Sequence, residues 1–71
     1  LEPIVRARVL ESVGATYVEL SNDAEALPVR AESAAAFAAA GDADGEQRAL
    51  HARGVAIMNL GNYAAAQAVL E

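Results

Sequence analysis

The stretch RVLESVGATYVELSNDAEALPVRA, residues 8–31, returns 40 positions later as RALHARGVAIMNLGNYAAAQAVLE, residues 48–71. Eight of the 24 paired positions are identical, namely Arg8 with Arg48, Leu10 with Leu50, Gly14 with Gly54, Leu20 with Leu60, Asn22 with Asn62, Ala24 with Ala64, Ala26 with Ala66 and Val29 with Val69. Chance gives about two or three identities in a chain of this composition. A repeat of this period indicates stacked supersecondary units, which mainly present surfaces for binding.

The first unit carries the signals of two helices. Pro3 suits the first position of a helix, and apolar residues then recur at helical spacing up to Leu20. Asn22 and Glu25 have the spacing of a capping box for a second helix, which is rich in alanine and is predicted to reach about Ala40. Pro28 lies inside this helix and is expected to bend it without breaking it.

The second unit is expected to repeat this hairpin. Gly41 is predicted to end the second helix, residues 41–45 to form a flexible connector, and Asp44 with Gln47 to cap a third helix. The apolar face of the third helix is predicted at Leu50, Gly54, Ile57 and Leu60. Gly61 is expected to end it, and Asn62 to cap a fourth helix whose face holds Tyr63, Ala66, Val69 and Leu70.

The predicted fold is therefore all-α, with four helices in antiparallel hairpins stacked as an α-α superhelix. Repeat one is placed at about 4–40, and a truncated repeat two at about 44–71. Gly14 and Gly54 fall within helices, where glycine costs about 1 kcal/mol against alanine. We expect them to allow close approach of a neighbouring helix, with Ala26 and Ala66 as packing partners.

Composition limits the classes of function. The chain has 71 residues, no cysteine, no lysine and a formal net charge of −5, which argues against general binding of nucleic acid. Its longest apolar run, residues 34–40, is too short to span a membrane, and no signal peptide is visible. A cytoplasmic location and a bacterial source are expected. Because the sequence starts at Leu1, we expect a fragment of a longer protein.

The spacing of the repeated residues resembles the tetratricopeptide repeat. The first unit supplies Leu10, Val13-Gly14, Tyr17 and Ala26, and the second supplies Leu50, Gly54, Ile57, Gly61, Tyr63, Ala66 and Leu70. The most family-like segment is NLGNYAAA, residues 59–66. The resemblance covers residues 8–71, with a period of 40 in place of the common 34. Arg30 and Arg53 depart from it, because they occupy positions that are usually apolar.

The resemblance implies a concave binding face formed by the first helix of each pair. Its residues here would be Arg8, Glu11, Ala15, Val18 and Glu19, followed by Arg48, His51, Val55, Met58 and Asn59. Ala15 and Val55 stand where carboxylate-clamping members of the family have asparagine, so that activity is rejected. Arg8 and Arg48 could pair with acids of a partner peptide, or with a local acid such as Glu11.

No set of residues for catalysis is apparent. His51 is the only histidine and falls on the predicted exposed side of its helix, while Ser12 and Ser33 have no adjacent base. Residues 41–45 lack the full spacing of a calcium loop. We expect no enzyme activity, no cofactor and no metal site in this chain.

Two functions remain open on sequence grounds. One is a protein-interaction module or scaffold that binds a protein or peptide and neither nucleic acid nor membrane. The other is a regulatory or sensor segment of a larger bacterial signalling protein, such as a transcription regulator or a nucleotide cyclase. Because two repeats leave apolar residues such as Val69 and Leu70 without partners, self-association is expected, for example by exchange of helix pairs through an opened 41–45 loop.

Overall fold

Three helices make up the chain, in a computed structural model that describes residues 2–70 and the side chains of residues 2–69. Helix α1 spans Pro3–Glu19, α2 spans Asp23–Ala39 and α3 spans Ala43–Leu70, and no strand occurs in the described residues. The all-α prediction is confirmed. The prediction of four helices is wrong, because α3 is a single helix of 28 residues.

The error lies at Gly61 and Asn62, which were expected to end one helix and cap the next. The helix α3 runs through both positions without interruption. Glycine costs only about 1 kcal/mol inside a helix, and the alanines at 64–66 that follow it are the strongest helix formers. The turn signal at this point permits a turn without requiring one.

Two tight turns of the same kind connect the helices. After α1, the amide of Asn22 donates to the carbonyl of Tyr17 at 2.8 Å and that of Ser21 donates to Val18 at 2.9 Å. After α2, the amides of Asp42 and Gly41 repeat this pattern on the carbonyls of Phe37 and Ala38. These are Schellman motifs, in which the first residue after the helix cap adopts a positive φ. That angle is 58° at Ser21 and 75° at Gly41, so Gly41 ends α2 as predicted.

The start of α3 differs from its prediction. The side chain of Asp42 accepts a hydrogen bond from the amide of Gly45 at 3.0 Å, so Asp42 is the cap in place of Asp44. Gly45 belongs to the first turn of the helix, and not to a flexible connector. At the start of α2, Asn22 occupies the predicted cap position, but its side chain makes no capping hydrogen bond. Helix α2 continues through Pro28 as expected.

The core is built from alanines around one phenylalanine. Helix α2 is the central element, and α1 and α3 both pack against it. The ring of Phe37 is fully buried among Ala7, Ala34, Ala36 and Ala49, with Ile4 and Leu10 at the edge. The Ser33 hydroxyl donates to the carbonyl of Ala7 at 3.2 Å, a contact that brings α1 and α2 close together. A core of such small side chains places the helix backbones near one another.

Gly45 is a second point of close approach. A Cβ atom at this position would lie 2.6 Å from Cε1 and 2.7 Å from Cγ of Phe37. The ring therefore rests directly on the backbone of α3. Any side chain at position 45 would displace it.

Helix α3 extends well beyond the other two. At about 1.5 Å per residue it is about 42 Å long, against about 25 Å for each of α1 and α2. The molecule accordingly measures 47 × 19 × 13 Å along its principal axes. Residues 61–69 of α3 are exposed, with Val69 at 85%. The side chain of Leu70, also predicted to lack a partner, lies outside the described residues.

Candidate functional site

The ion pair between Glu11 and Arg48 brings one face of α1 near one face of α3 and leaves a space between the two helices. Its α1 side is a row at Glu11, Ala15 and Val18, and its α3 side is a row at Arg48, Ala52, Val55 and Asn59. The spacing of three and four residues places each row on one face of its helix. Because two tight turns reverse the chain twice, α1 and α3 run in the same direction, and we call the space between these rows the α1–α3 groove.

An ion pair joins the two sides of the groove. Arg48 donates from Nε to Oε2 of Glu11 at 3.2 Å, and the Arg48 guanidinium also lies 5.4 Å from the centre of the Phe37 ring. Arg48 thus pairs with the local acid that the sequence offered as one alternative. A partly exposed pair of this kind contributes about 0–1 kcal/mol to stability.

Each row of the groove carries one exposed valine. The side chains of Val18 and Val55 are each 38% exposed. The two rows therefore offer one aliphatic side chain each to solvent.

Arg30 of α2 lies beneath the groove and is only 9% exposed. Its Nη1 donates to the carbonyl of Glu11 at 3.3 Å, while its Nε has no hydrogen-bond partner among the described residues. The side chain rests on Gly14, where an added Cβ would lie 2.9 Å from Nε. Gly14 is thus a point of close approach, as predicted, and the atoms nearest to an added Cβ there belong to Arg30.

The second glycine contact predicted by the repeat is absent. A Cβ at Gly54 would meet nothing within 4 Å, and Ala66, its expected partner, is exposed. The reason is that α3 packs on α2 through Gly45, Ala49 and Ala56, which form a different face of the helix. That prediction is therefore wrong for Gly54.

Asn59 and Asp23 close the far end of the groove. Nδ2 of Asn59 donates to Oδ1 of Asp23 at 3.4 Å, and Asp23 is buried at the start of α2. A carboxylate in the first turn of a helix is also stabilised by the helix dipole. This contact ties α3 to α2 at the last level where the two helices lie side by side.

The other predicted site residues lie away from the groove. Arg8 and Glu19 on α1 are exposed, as are His51 and Met58 on α3. The structure therefore joins Glu11 to Arg48 by an ion pair, places Val18, Val55 and Asn59 on the same helix faces as these two, and leaves the other four on the outer surface. Arg30 and Asp23 also border the groove and were not predicted there, although the departure of Arg30 from an apolar position was a usable signal.

The described part of the chain contains no group of three or more His, Cys, Asp or Glu side chains placed to hold a metal ion.

A depression of about 250 Å³ lies on the opposite side of the molecule, beside the exposed Arg6–Glu32 ion pair of 3.5 Å. It is lined by Pro3, Arg6, Glu32, Ala35, Ala36 and Ala39. Its volume is below that of most small-molecule sites.

In the described residues, no helix combines the length and the hydropathy that crossing a bilayer requires.

Comparison of the chain with known protein families, with curated proteins and with solved structures finds no match in any of the three.

Proposed function

We propose that this chain is a protein-interaction module that receives a protein or peptide segment in the α1–α3 groove. The observation that carries the proposal is the pair of helix rows that are joined by Glu11 and Arg48, each with one exposed valine, Val18 and Val55. Exposed aliphatic side chains between two parallel helices suit the apolar face of a bound segment.

The 40-residue repeat supports the same proposal. Repeat proteins with helical hairpins bind partners on the face formed by the first helix of each unit, and α1 and α3 hold those positions here. Membership of the tetratricopeptide family remains a hypothesis with one clear departure, because α3 does not turn at Gly61.

Site-specific photocrosslinking in the cells of origin tests this function. A photoreactive phenylalanine analogue at Val55 should give a discrete adduct with another protein. The same analogue at Ala31, an exposed position on the far side of α2, is the matched control and should give none. Adducts of equal yield from both positions, or none from Val55, would contradict the proposal.

A second variant tests whether the groove itself is required. Val18→Asp in the Val55-labelled protein should abolish the Val55 adduct, because a carboxylate on the opposite wall would have to be desolvated on binding. Val9→Asp, on an exposed part of α1 away from the groove, should leave the adduct intact. Circular dichroism of both variants checks that they remain helical.

A further inference from the structure

A second exposed surface runs along the outer side of α3. Leu50, Gly54, Ile57, Gly61, Ala64 and Ala68 follow one another at steps of four and three residues, and all six are exposed. Leu50 is 44% exposed and Ile57 is 47% exposed. This alternation is the one that keeps residues on the seam between two paired helices. We call these six residues the outer stripe.

The repeat shows what kind of surface the outer stripe is. The matching residues 40 positions earlier include Leu10, Gly14 and Tyr17, which are buried or half-buried where α1 packs on α2. In α3 the corresponding Leu50, Gly54 and Ile57 have no such helix against them, because α3 uses another face to contact α2. The outer stripe is thus a helix-packing face that lacks its helix.

We propose that the outer stripe pairs with the outer stripe of a second copy of this chain, with the two α3 helices antiparallel. The numbers 50 and 68, 54 and 64, and 57 and 61 are all centred on position 59. An antiparallel pair with its twofold axis at that position therefore places Leu50 beside Ala68, Gly54 beside Ala64 and Ile57 beside Gly61. Each large side chain meets a small one, so the surface is complementary to itself, as a twofold interface must be.

The shape of the molecule allows this pairing. Helix α2 accompanies α3 only as far as Asn59, which contacts the first residue of α2. With the axis at position 59, the α1–α2 hairpins of the two copies lie at opposite ends of the helix pair and do not overlap. The protruding half of each α3 then lies beside the packed half of the other.

Charge does not oppose pairing with a second copy. The chain has ten acidic residues, yet none lies between Gln47 and Leu70. Arg53, which borders the outer stripe, would lie level with Ala65 of the other copy and about 18 Å along the axis from its Arg53. The pair thus forms without placing like charges next to each other.

This surface is separate from the α1–α3 groove. At about 100° per residue, the outer stripe lies about 160° around α3 from the row at Arg48, Val55 and Asn59. Self-pairing and binding in the groove can therefore succeed or fail independently.

Sedimentation equilibrium of the purified chain from about 5 to about 500 µM tests the pairing. The wild-type mass should rise from one chain to two. Gly61→Leu should weaken the dimer at least tenfold, because it fills the space that receives Ile57 of the other copy. Asn62→Leu, which places the same side chain on the other side of the helix, should retain it. A wild type that stays monomeric, or equal effects of the two leucines, would overturn the proposal.

Measuring the helix content of each variant separates an effect on the dimer from an effect on folding. Replacing a glycine within α3 by leucine should raise the helicity of the monomer, since leucine is a far better helix former. The proposal thus requires Gly61→Leu to strengthen the helix and weaken the dimer. A dimer made tighter by Gly61→Leu would also overturn it, as that result would point to nonspecific apolar contact.

Disulfide formation tests the antiparallel direction, because the chain has no cysteine of its own. Leu50→Cys and Ala68→Cys, mixed under mild oxidation, should form the mixed disulfide at least tenfold faster than either variant links to itself. Faster linkage of Leu50→Cys to its own kind would indicate a parallel pair and refute the proposed register.

Discussion

The two halves of α3 belong to one helix but have different surroundings. In residues 43–59, Gly45 lies under the Phe37 ring and Ala49 and Ala56 are buried against α2. In residues 60–69, every residue after Leu60 is exposed, including Tyr63 at 53%. The first half is held by tertiary packing and the second by its own backbone hydrogen bonds and alanine content.

The same three positions of the repeat form a turn in the first unit and a helix in the second. Leu20, Ser21 and Asn22 form a turn, whereas Leu60, Gly61 and Asn62 at the equivalent positions continue a helix. After Asn22 the chain folds back, and Ala26, Ser33 and Phe37 become fully buried. After Asn62 the described residues gain no such burial. Downstream packing therefore decides whether the shared turn signal is used.

Removing the aromatic ring in each half should give the largest difference in the free energy of unfolding. Phe37→Ala should destabilise the chain by about 3–5 kcal/mol, since it empties the centre of the core. Tyr63→Ala, in the protruding half, should change the free energy of unfolding by less than about 0.5 kcal/mol. Urea denaturation followed by circular dichroism measures both. Similar losses for the two variants would mean that the protruding half is packed.

The glycines of α3 should respond in opposite directions to one substitution. Gly45→Ala should destabilise by about 1–3 kcal/mol, because the new methyl group would collide with the buried Phe37 ring. Gly54→Ala should stabilise by about 0.5–1 kcal/mol, because a Cβ there meets nothing and alanine is the better helix former. Thermal unfolding at a concentration where the chain is monomeric measures the difference. Stabilisation by Gly45→Ala would refute the packing of Phe37 on α3.

The two helix caps, Asp42 and Asn22, should also differ in how much they stabilise the chain. Asp42→Ala should cost about 1 kcal/mol, because it removes the hydrogen bond to the Gly45 amide at the start of the packed half. Asn22→Ala should cost less, since the Asn22 side chain makes no capping bond. Chemical denaturation of the two variants side by side checks this order. The reverse order would place the working cap at Asn22.

The smallest effect is expected at Gly61. In the monomer, Gly61→Ala should raise the helical signal in circular dichroism by favouring the protruding half. It should leave the urea midpoint almost unchanged, because these residues contribute little to the core. A clear rise of the midpoint would show that residues 60–69 unfold together with the rest of the chain.

The sequence predicted the helical class, the positions of α1 and α2 and the Gly41 turn because these depend on local signals. Leu10, Tyr17 and Pro3 determine the first helix through spacing, and Gly41 supplies the positive φ that ends the second. The resemblance to the tetratricopeptide repeat put Glu11 and Arg48 on one face, and the structure joins these two side chains in an ion pair.

What the sequence did not predict depends on contacts between distant residues. Gly45 looked like part of a loop because its partner, Phe37, is visible only in the folded chain. Arg30 looked like a misplaced charge until its contacts with Gly14 and the Glu11 carbonyl were known. The 40-residue repeat predicts that Gly54 packs as Gly14 does. In the structure, α3 packs on α2 through a different face of the helix. Repetition in sequence therefore did not ensure repetition of packing.

The long α3 helix also affects how the molecule moves through solution. The radius of gyration is 13.5 Å, whereas a compact domain of this length has about 11 Å. A rod-like body experiences more friction than a sphere of equal mass and elutes early from a sizing column. A single 7.3 kDa chain would thus migrate as a larger particle. The apparent mass from its elution volume is therefore too high, and the number of chains per particle has to be measured by light scattering or sedimentation.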